Sequence, residues 1–313
     1  MAKVFLVSAN LMGVLYVDKL LEAGDEIVGI AAWPGAGGWH VPPEADLRAK
    51  AFREYLPLYE PDPKDINSLE FVEVMRKAEP DYVISGYYAR IFKDQILSLP
   101  KKGCINIHPT GLPKFRGLSP TFTHMLHGDT HSYSTMHWLN PGIDTGDIIA
   151  QTSVEILSDD TGWKTSEKLT IASGEMFAET WPLVKAGKAP RVVQDESIAS
   201  VFNFSWKMAQ IDWTKTSLEI FNLVRALTKP MKGTWTFVSG RKMHIWKASM
   251  VPVKGELSAR DALPGEVLAV TGKGLWVQCG KGQVQILDYT FDDDPQATVA
   301  DYVCTSGVRV LLG

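Results

Sequence analysis

Along the first 150 residues the apolar positions follow two alternating rhythms. Residues 3–8 form a short apolar run, 11–21 repeat apolar side chains at helical spacing until Gly24, and 25–32 are apolar again. Strand, helix and strand with short connections are how a parallel, doubly wound sheet begins. The rhythm continues with a helical segment at 69–78, a buried-type strand at 81–85 and a short helix at 93–99 that ends at Pro100. After Asp147 come a strand, a helix start at 158–161 and a long helical stretch to residue 186, expected to kink at Pro182 and closed by Gly187 and Pro190. A further helical segment covers 218–227. From there short runs at 235–238, 242–246, 265–270, 275–279 and 284–289 are separated by Gly turns, which suits a small open β-barrel. The fold class is therefore α/β. A doubly wound, mostly parallel sheet is expected over 1–188, a linker over 189–207, and a helix plus small β-barrel over 208–313.

Composition narrows the function without naming it. The 313 residues are 45% hydrophobic and 22% charged, ordinary values for a water-soluble globular chain of two domains. No apolar stretch approaches the roughly 20 residues of a membrane span, and the opening MAKVFLVSAN runs straight into a strand-like segment, so neither a span nor a secretory leader is expected. Three cysteines, Cys104, Cys279 and Cys304, lack metal or redox spacing, which points to buried thiols and a cytoplasmic location. The stretch 33–39 is Gly-rich, but the third glycine of a GxGxxG pattern is His40 and no helix follows the first strand there. A mobile loop is expected instead of a dinucleotide site.

The chemistry concentrates in 103–151. In the run 104–108 β-branched residues alternate with polar ones, so Asn106 and His108 point to the same side of a strand. Pro109, Gly111, Pro113 and Gly117 then punctuate a loop, and a second breaker-rich loop at 140–147 carries Asp144. Parallel sheets bind ligands beyond the carboxyl ends of their strands, so the segment 86–92 lines the same crevice. An imidazole near neutrality can remove a proton, a carboxylate beside it fixes its tautomer and raises its pKa, and an amide NH₂ can donate to a developing oxyanion.

This stretch, with Asn106-x-His108, the run Leu112-Pro113-Lys114-Phe115-Arg116-Gly117 and Asp144-Thr145-Gly146-Asp147, resembles the signature of formyltransferases that use 10-formyltetrahydrofolate. The resemblance extends more weakly over nearly the whole chain. It implies that Asn106, His108 and Asp144 form the catalytic group, and that Tyr88, Arg90, Ile91, Phe92, Gly142, Ile143 and Asp144 hold the folate. It places Pro113, Arg116, Gly117 and Ser119 on the acceptor side, implies no metal, and gives a Rossmann-like catalytic domain followed by an OB-like barrel. Asp212-Trp213, the helical 218–227 and the run 230–235 resemble the entry to the second domain of tRNA and amino-sugar formyltransferases.

Five of the seven histidines fall between His108 and His137, and His124, His127 and His131 have the look of a ligand set, but the first two close a short helix and the third begins another element. A folate-binding module without catalysis requires changes in the Asn-His-Asp group, and none is seen. Hydrolysis of 10-formyltetrahydrofolate is disfavoured because, in the hydrolase domain that the chain also resembles, the position of Asn106 is not Asn. For the acceptor, the first strand ends in SANLMG, the loop 33–45 carries no Lys or Arg, and the net charge is −4. A protein that grips phosphates supplies cations where it touches them. A small amine is therefore expected, such as a nucleotide-linked amino sugar or a hydroxyornithine side chain, with tRNA as the alternative. Arg225, Lys229, Lys232, Arg241, Lys242 and Lys247 form the basic stretch that favours tRNA, and Trp33, Trp39, Tyr87 and Tyr88 are aromatic candidates near the crevice. The oligomeric state is not readable.

Overall fold

The computed structural model describes residues 1–313 apart from 33–45, 63–64, 89, 253–256, 258–260 and 300–309. The expected mobile loop with Trp33 and Trp39, and Cys304, lie outside the described residues. The chain divides into two compact units, one comprising Met1–Thr121, Ser132–Glu155 and Ser166–Asn203, the other Phe122–His131, Ile156–Thr165 and Phe204–Gly313.

In the first unit the elements run β1 (Lys3–Ser8), α1 (Asn10–Glu22), β2 (Glu26–Ala32), α2 (Leu47–Arg53), β3 (Leu58–Tyr59), α3 (Leu69–Lys77), β4 (Tyr82–Gly86), α4 (Asp94–Leu97) and β5 (Gly103–His108). Further on come β6 (His131–Trp138), β7 (Ile148–Glu155) and the long α6 (Gly162–Lys185), which contains Pro182. The seven strands are ordered β3-β2-β1-β4-β5-β6-β7. The pairs from β3 to β5 are parallel, whereas β6 runs antiparallel to β5. Alternation along β1 explains why helices cover both faces. Val4 and Leu6 join the core of α1 and α6, with Tyr16, Phe177 and Trp181, while Phe5 and Val7 join that of α3, with Phe71 and Met75. Each fully buried side chain of this kind contributes roughly 1.5–3 kcal/mol. The buried Asp25 carboxylate fastens α6 to the start of β2, accepting from Trp181 Nε1 at 2.6 Å, Lys185 Nζ at 2.8 Å and the Ala2 backbone at 2.8 Å.

The expected linker 189–207 is divided differently by packing. Residues 189–203 stay with the first unit because their backbone bridges to β7 and to the loop after β5, as at Val192 with Ile148 and Val201 with Arg116. Cys104 is buried, and burial pushes its thiol up to about 12.

The second unit holds α5 (Thr123–Leu126), α7 (Ser217–Leu227) and strands β8 (Thr234–Val238), β9 (Arg241–Met250), β10 (Val267–Thr271), β11 (Gly274–Gln278) and β12 (Gln283–Phe291). Thr216 and Glu219 form a capping box that starts α7, and Ile220 and Val224 of that helix enter a core with Met243, Ile245, Val277, Val284 and Ile286. The sheet order is β10-β11-β12-β9-β8. An open barrel is the expectation, but the last residues join its two edges. Phe237 and Gly313 exchange backbone bonds of 3.0 Å each, while Val267 donates to the Val310 carbonyl at 2.9 Å. Residues 310–313 are too few to show a strand's period, which is why periodicity misses the closure. Among the described residues no helix is long and apolar enough to cross a membrane.

Candidate active site

Strand β5 presents Asn106 and His108 on one side, as period two requires, and β6 is registered so that His137 lies opposite Asn106 and Thr135 opposite His108. The third participant arrives on the loop after β6, where Asp144 adopts φ 51°, a left-handed conformation unusual outside glycine. The three expected residues converge. Asp144 Oδ2 lies 3.6 Å from His108 Nδ1, and Asn106 Nδ2 donates to Asp144 Oδ1 at 3.4 Å. The Gly117 backbone N–H also donates to Oδ2, at 2.8 Å.

Hydrogen-bond roles follow from what each partner can do. The Phe115 carbonyl only accepts, so His108 Nε2–H donates to it at 2.9 Å. Nδ1 then faces a carboxylate, and a ring with one proton satisfies one of these two acceptors. The imidazolium, with a proton on each nitrogen, presents a donor to both. His137 Nδ1 donates to the Trp138 carbonyl at 2.9 Å, and its Nε2 lies 3.2 Å from Asn106 Nδ2 and 3.5 Å from Asp144 Oδ1. Burial pushes the Asp144 carboxyl upward, but the His137 hydrogen bond, the charges of His108 and His137 and the Gly117 N–H outweigh it and hold the group down at about 2. Asp144 is thus ionised throughout the working pH range.

The folate candidates lie at the carboxyl end of β4 and on the loop after β6. Ile91 and Phe92 line an open groove of about 430 Å³ together with Lys93, Asp94, Gln95 and Pro141. Phe92 is buried, whereas Arg90, Ile91, Gly142 and Ile143 are exposed. Tyr88 stacks at a tilt on Phe92, with ring centres 6.1 Å apart, and burial, reinforced by Asp62 and opposed by Arg90, pushes its phenol up to about 12. The acceptor-side candidates are engaged within the fold. The Arg116 guanidinium is buried against Gln194 and Glu196, Ser119 Oγ donates to the Phe202 carbonyl at 2.9 Å, and the Pro113 carbonyl accepts from Ser200.

The histidines set aside as a metal set have separate bonds. His124 Nδ1 pairs with Asp129 at 2.7 Å, His127 Nδ1 donates to the Thr123 carbonyl, and His131 Nδ1 meets Thr130 Oγ1. Among the described residues no group of three or more His, Cys, Asp or Glu is arranged to hold a metal ion. Sequence reasoning missed His137 and Gln194. In β6 a period of two puts His137 on the face of Thr135 and opposite that of Met136 and Trp138, which is a signal for the first; nothing in the run around the second carries one.

Residues 41–180 match the family described as formyl transferase, and residues 204–307 match the formyl transferase C-terminal domain. The chain is 33% identical over 242 residues to the methionyl-tRNA formyltransferase of Ruminiclostridium cellulolyticum, covering 77% of this chain and 76% of that protein. With the methionyl-tRNA formyltransferase of Geobacter sulfurreducens it shares 29% identity over 300 residues, 94% of this chain and 90% of the other. In fold it is similar to the N-formyltransferase of Helicobacter canadensis, solved with folinic acid and dTDP-3-aminofucose. There the TM-score is 0.67 at 17% identity, covering 92% of this chain and 99% of that one.

Proposed function

Starting from the fact that this chain belongs to the formyltransferase family and is a transferase, we propose that it moves a formyl group from 10-formyltetrahydrofolate to an amine. The observation that carries the reading is the convergence of Asn106 and His108 on the ionised Asp144. As the amine nitrogen bonds to the formyl carbon, His108 takes its proton and becomes the imidazolium that Asp144 and the Phe115 carbonyl stabilise. The Asn106 NH₂ donates to the formyl oxygen as negative charge builds there, recruited from its long bond to Asp144. His108 then returns the proton to the departing folate nitrogen as the carbon–nitrogen bond to the folate breaks. Folate-bound relatives of the fold, such as the Helicobacter canadensis enzyme with folinic acid, support the donor.

For the acceptor we favour a small amine. Residues 1–203 carry 19 Lys and Arg against 26 Asp and Glu, an acidic surround for a phosphate-rich polymer. A second reading, methionyl-tRNA, is favoured by one specific observation. Residues 204–313 carry 13 basic against 10 acidic residues, and Lys229, Lys232 and Lys242 lie over the partly exposed rings of Trp246, Trp206 and Trp235 at 4.9, 5.2 and 5.2 Å. Cations interleaved with aromatic rings suit nucleic acid. The test is release of tetrahydrofolate from 10-formyltetrahydrofolate with a panel of amino-sugar nucleotides, hydroxyornithine and charged initiator tRNA, at low and moderate salt. Small-amine formylation should change little with salt. Steeply salt-sensitive formylation of tRNA alone would replace the first reading by the second.

A further inference from the structure

The chain segment after α6 does more than lead away from the first unit. Val192 and Ile148 exchange backbone bonds of 2.8 and 3.0 Å, the Arg116 N–H donates to the Ser200 carbonyl at 2.8 Å, and the Phe115 N–H donates to Ser200 Oγ at 3.0 Å. At its centre Gln194 is buried, at 6% exposure, and every polar atom of its side chain is engaged. The orientation of the amide is forced. Carbonyl oxygens only accept, so Nε2 donates to Asp144 O at 2.7 Å and to Gly146 O at 2.8 Å. A guanidinium only donates, so Oε1 accepts from Arg116 Nε at 3.1 Å and Nη2 at 2.8 Å. Arg116 is steadied from its other side by the Glu196 carboxylate, at 3.0 and 2.7 Å.

We propose that Gln194 is a positioning residue for formyl transfer: locked by Arg116, it clamps the carbonyls on either side of Thr145 and so aims the Asp144 carboxylate at His108 and Asn106. The backbone supplies the reason that a clamp is needed. Asp144 has φ 51°, which a non-glycine residue holds only when its surroundings over-determine it, and a donor on its own carbonyl is such a restraint. The inference rests on the formyl-transfer reading, and it extends the machinery to a residue 50 positions beyond the carboxylate.

The test is Gln194→Glu in the full chain. A carboxylate still accepts from Arg116, so the segment stays docked, but it sets oxygen against the two carbonyls and releases the Asp144 backbone. The expected result is a kcat lowered by roughly tenfold to a hundredfold with the amine KM changed far less, because a small misplacement at the reacting group is enough. The second readout is the titration of His108, followed by NMR on histidine-labelled protein and assigned with His108→Gln. Asp144, the Phe115 carbonyl and, through the other Asp144 oxygen, His137 bear on that ring. In the variant His108 should titrate at lower pH than in the wild type as its carboxylate moves away. If Gln194→Glu does not fold, Gln194→Met, similar in length and uncharged, carries the same expectations. An unmoved His108 titration overturns the proposal, even with a lowered kcat, since loosening of the fold alone gives that pattern. A wild-type enzyme that releases tetrahydrofolate with no amine would overturn the formyl-transfer reading, while the His108 titration still decides the clamp.

Discussion

The Gly117 backbone N–H donates to Asp144 Oδ2 at 2.8 Å, and this one bond joins the two loops that build the site. Gly117 has φ 92°, in the left-handed region that favours glycine, and that turn points its N–H at the carboxylate. Oδ2 is also the oxygen 3.6 Å from His108 Nδ1. The loop from β5 therefore orients the acid that in turn orients the base on β5.

His108→Ala and Asp144→Ala should each lower turnover by roughly 10²–10⁴-fold, because proton transfer and its alignment are lost. Binding of tetrahydrofolate, measured calorimetrically, should be nearly unchanged, since neither side chain lines the groove beside Ile91 and Phe92. Turnover near wild type in either variant would remove these residues from the chemistry.

Asn106→Ala should cost roughly 10²–10³-fold in kcat, the usual effect of deleting one oxyanion donor. His137→Ala acts one step back. It removes the Nε2 that holds the Asn106 amide at 3.2 Å, so kcat should fall by roughly ten- to a hundredfold. A His137→Ala loss as large as that of Asn106→Ala, without further loss in the double variant, would place both on one pathway.

The Asp144 carboxyl is held near 2, below the ordinary 3.8, and its side chain is 13% exposed. A lowered folded-state value means that the ionised group stabilises the fold above the unfolded value, and that this contribution is lost as pH falls through the folded one. From the shift, Asp144→Asn should be about 2 kcal/mol less stable than the wild type at pH 7. Urea unfolding should show the gap closing between pH 4 and pH 2. A gap that persists at pH 2 would assign the loss to packing instead.

Gly146→Ala should disturb the site without touching its chemistry. A Cβ there would lie 1.7 Å from the Trp138 carbonyl oxygen, so the loop carrying Asp144 must move. A loss of about 1–3 kcal/mol in stability is expected, as for other overpacked positions, together with lower turnover. Unchanged thermal unfolding and activity would show that the loop tolerates the shift.

Local pattern alone made much of this legible. The period-two run of β5 puts Asn106 and His108 on one face, Gly and Pro mark both loops, and the strands of the second unit announce themselves in short apolar runs. Arg116 shows the limit of that reading. Beside the site signature it has the look of a substrate contact, yet its guanidinium is buried on Gln194 and Glu196. Charge in a sequence says that a partner is needed and not which one.

Taken alone, the sequence determined most elements of the doubly wound sheet, though not α2, β3 or β6, and the shared face of Asn106 and His108, because each depends on periodicity among near neighbours. Tertiary structure alone decided that His137 stands opposite Asn106, that Asp144 holds φ 51°, that Gln194 reaches its carbonyl, and that residues 310–313 join the barrel's edges. Each of these pairs residues far apart in the chain. Such pairings are chosen by the packing of the whole unit, which no local pattern records.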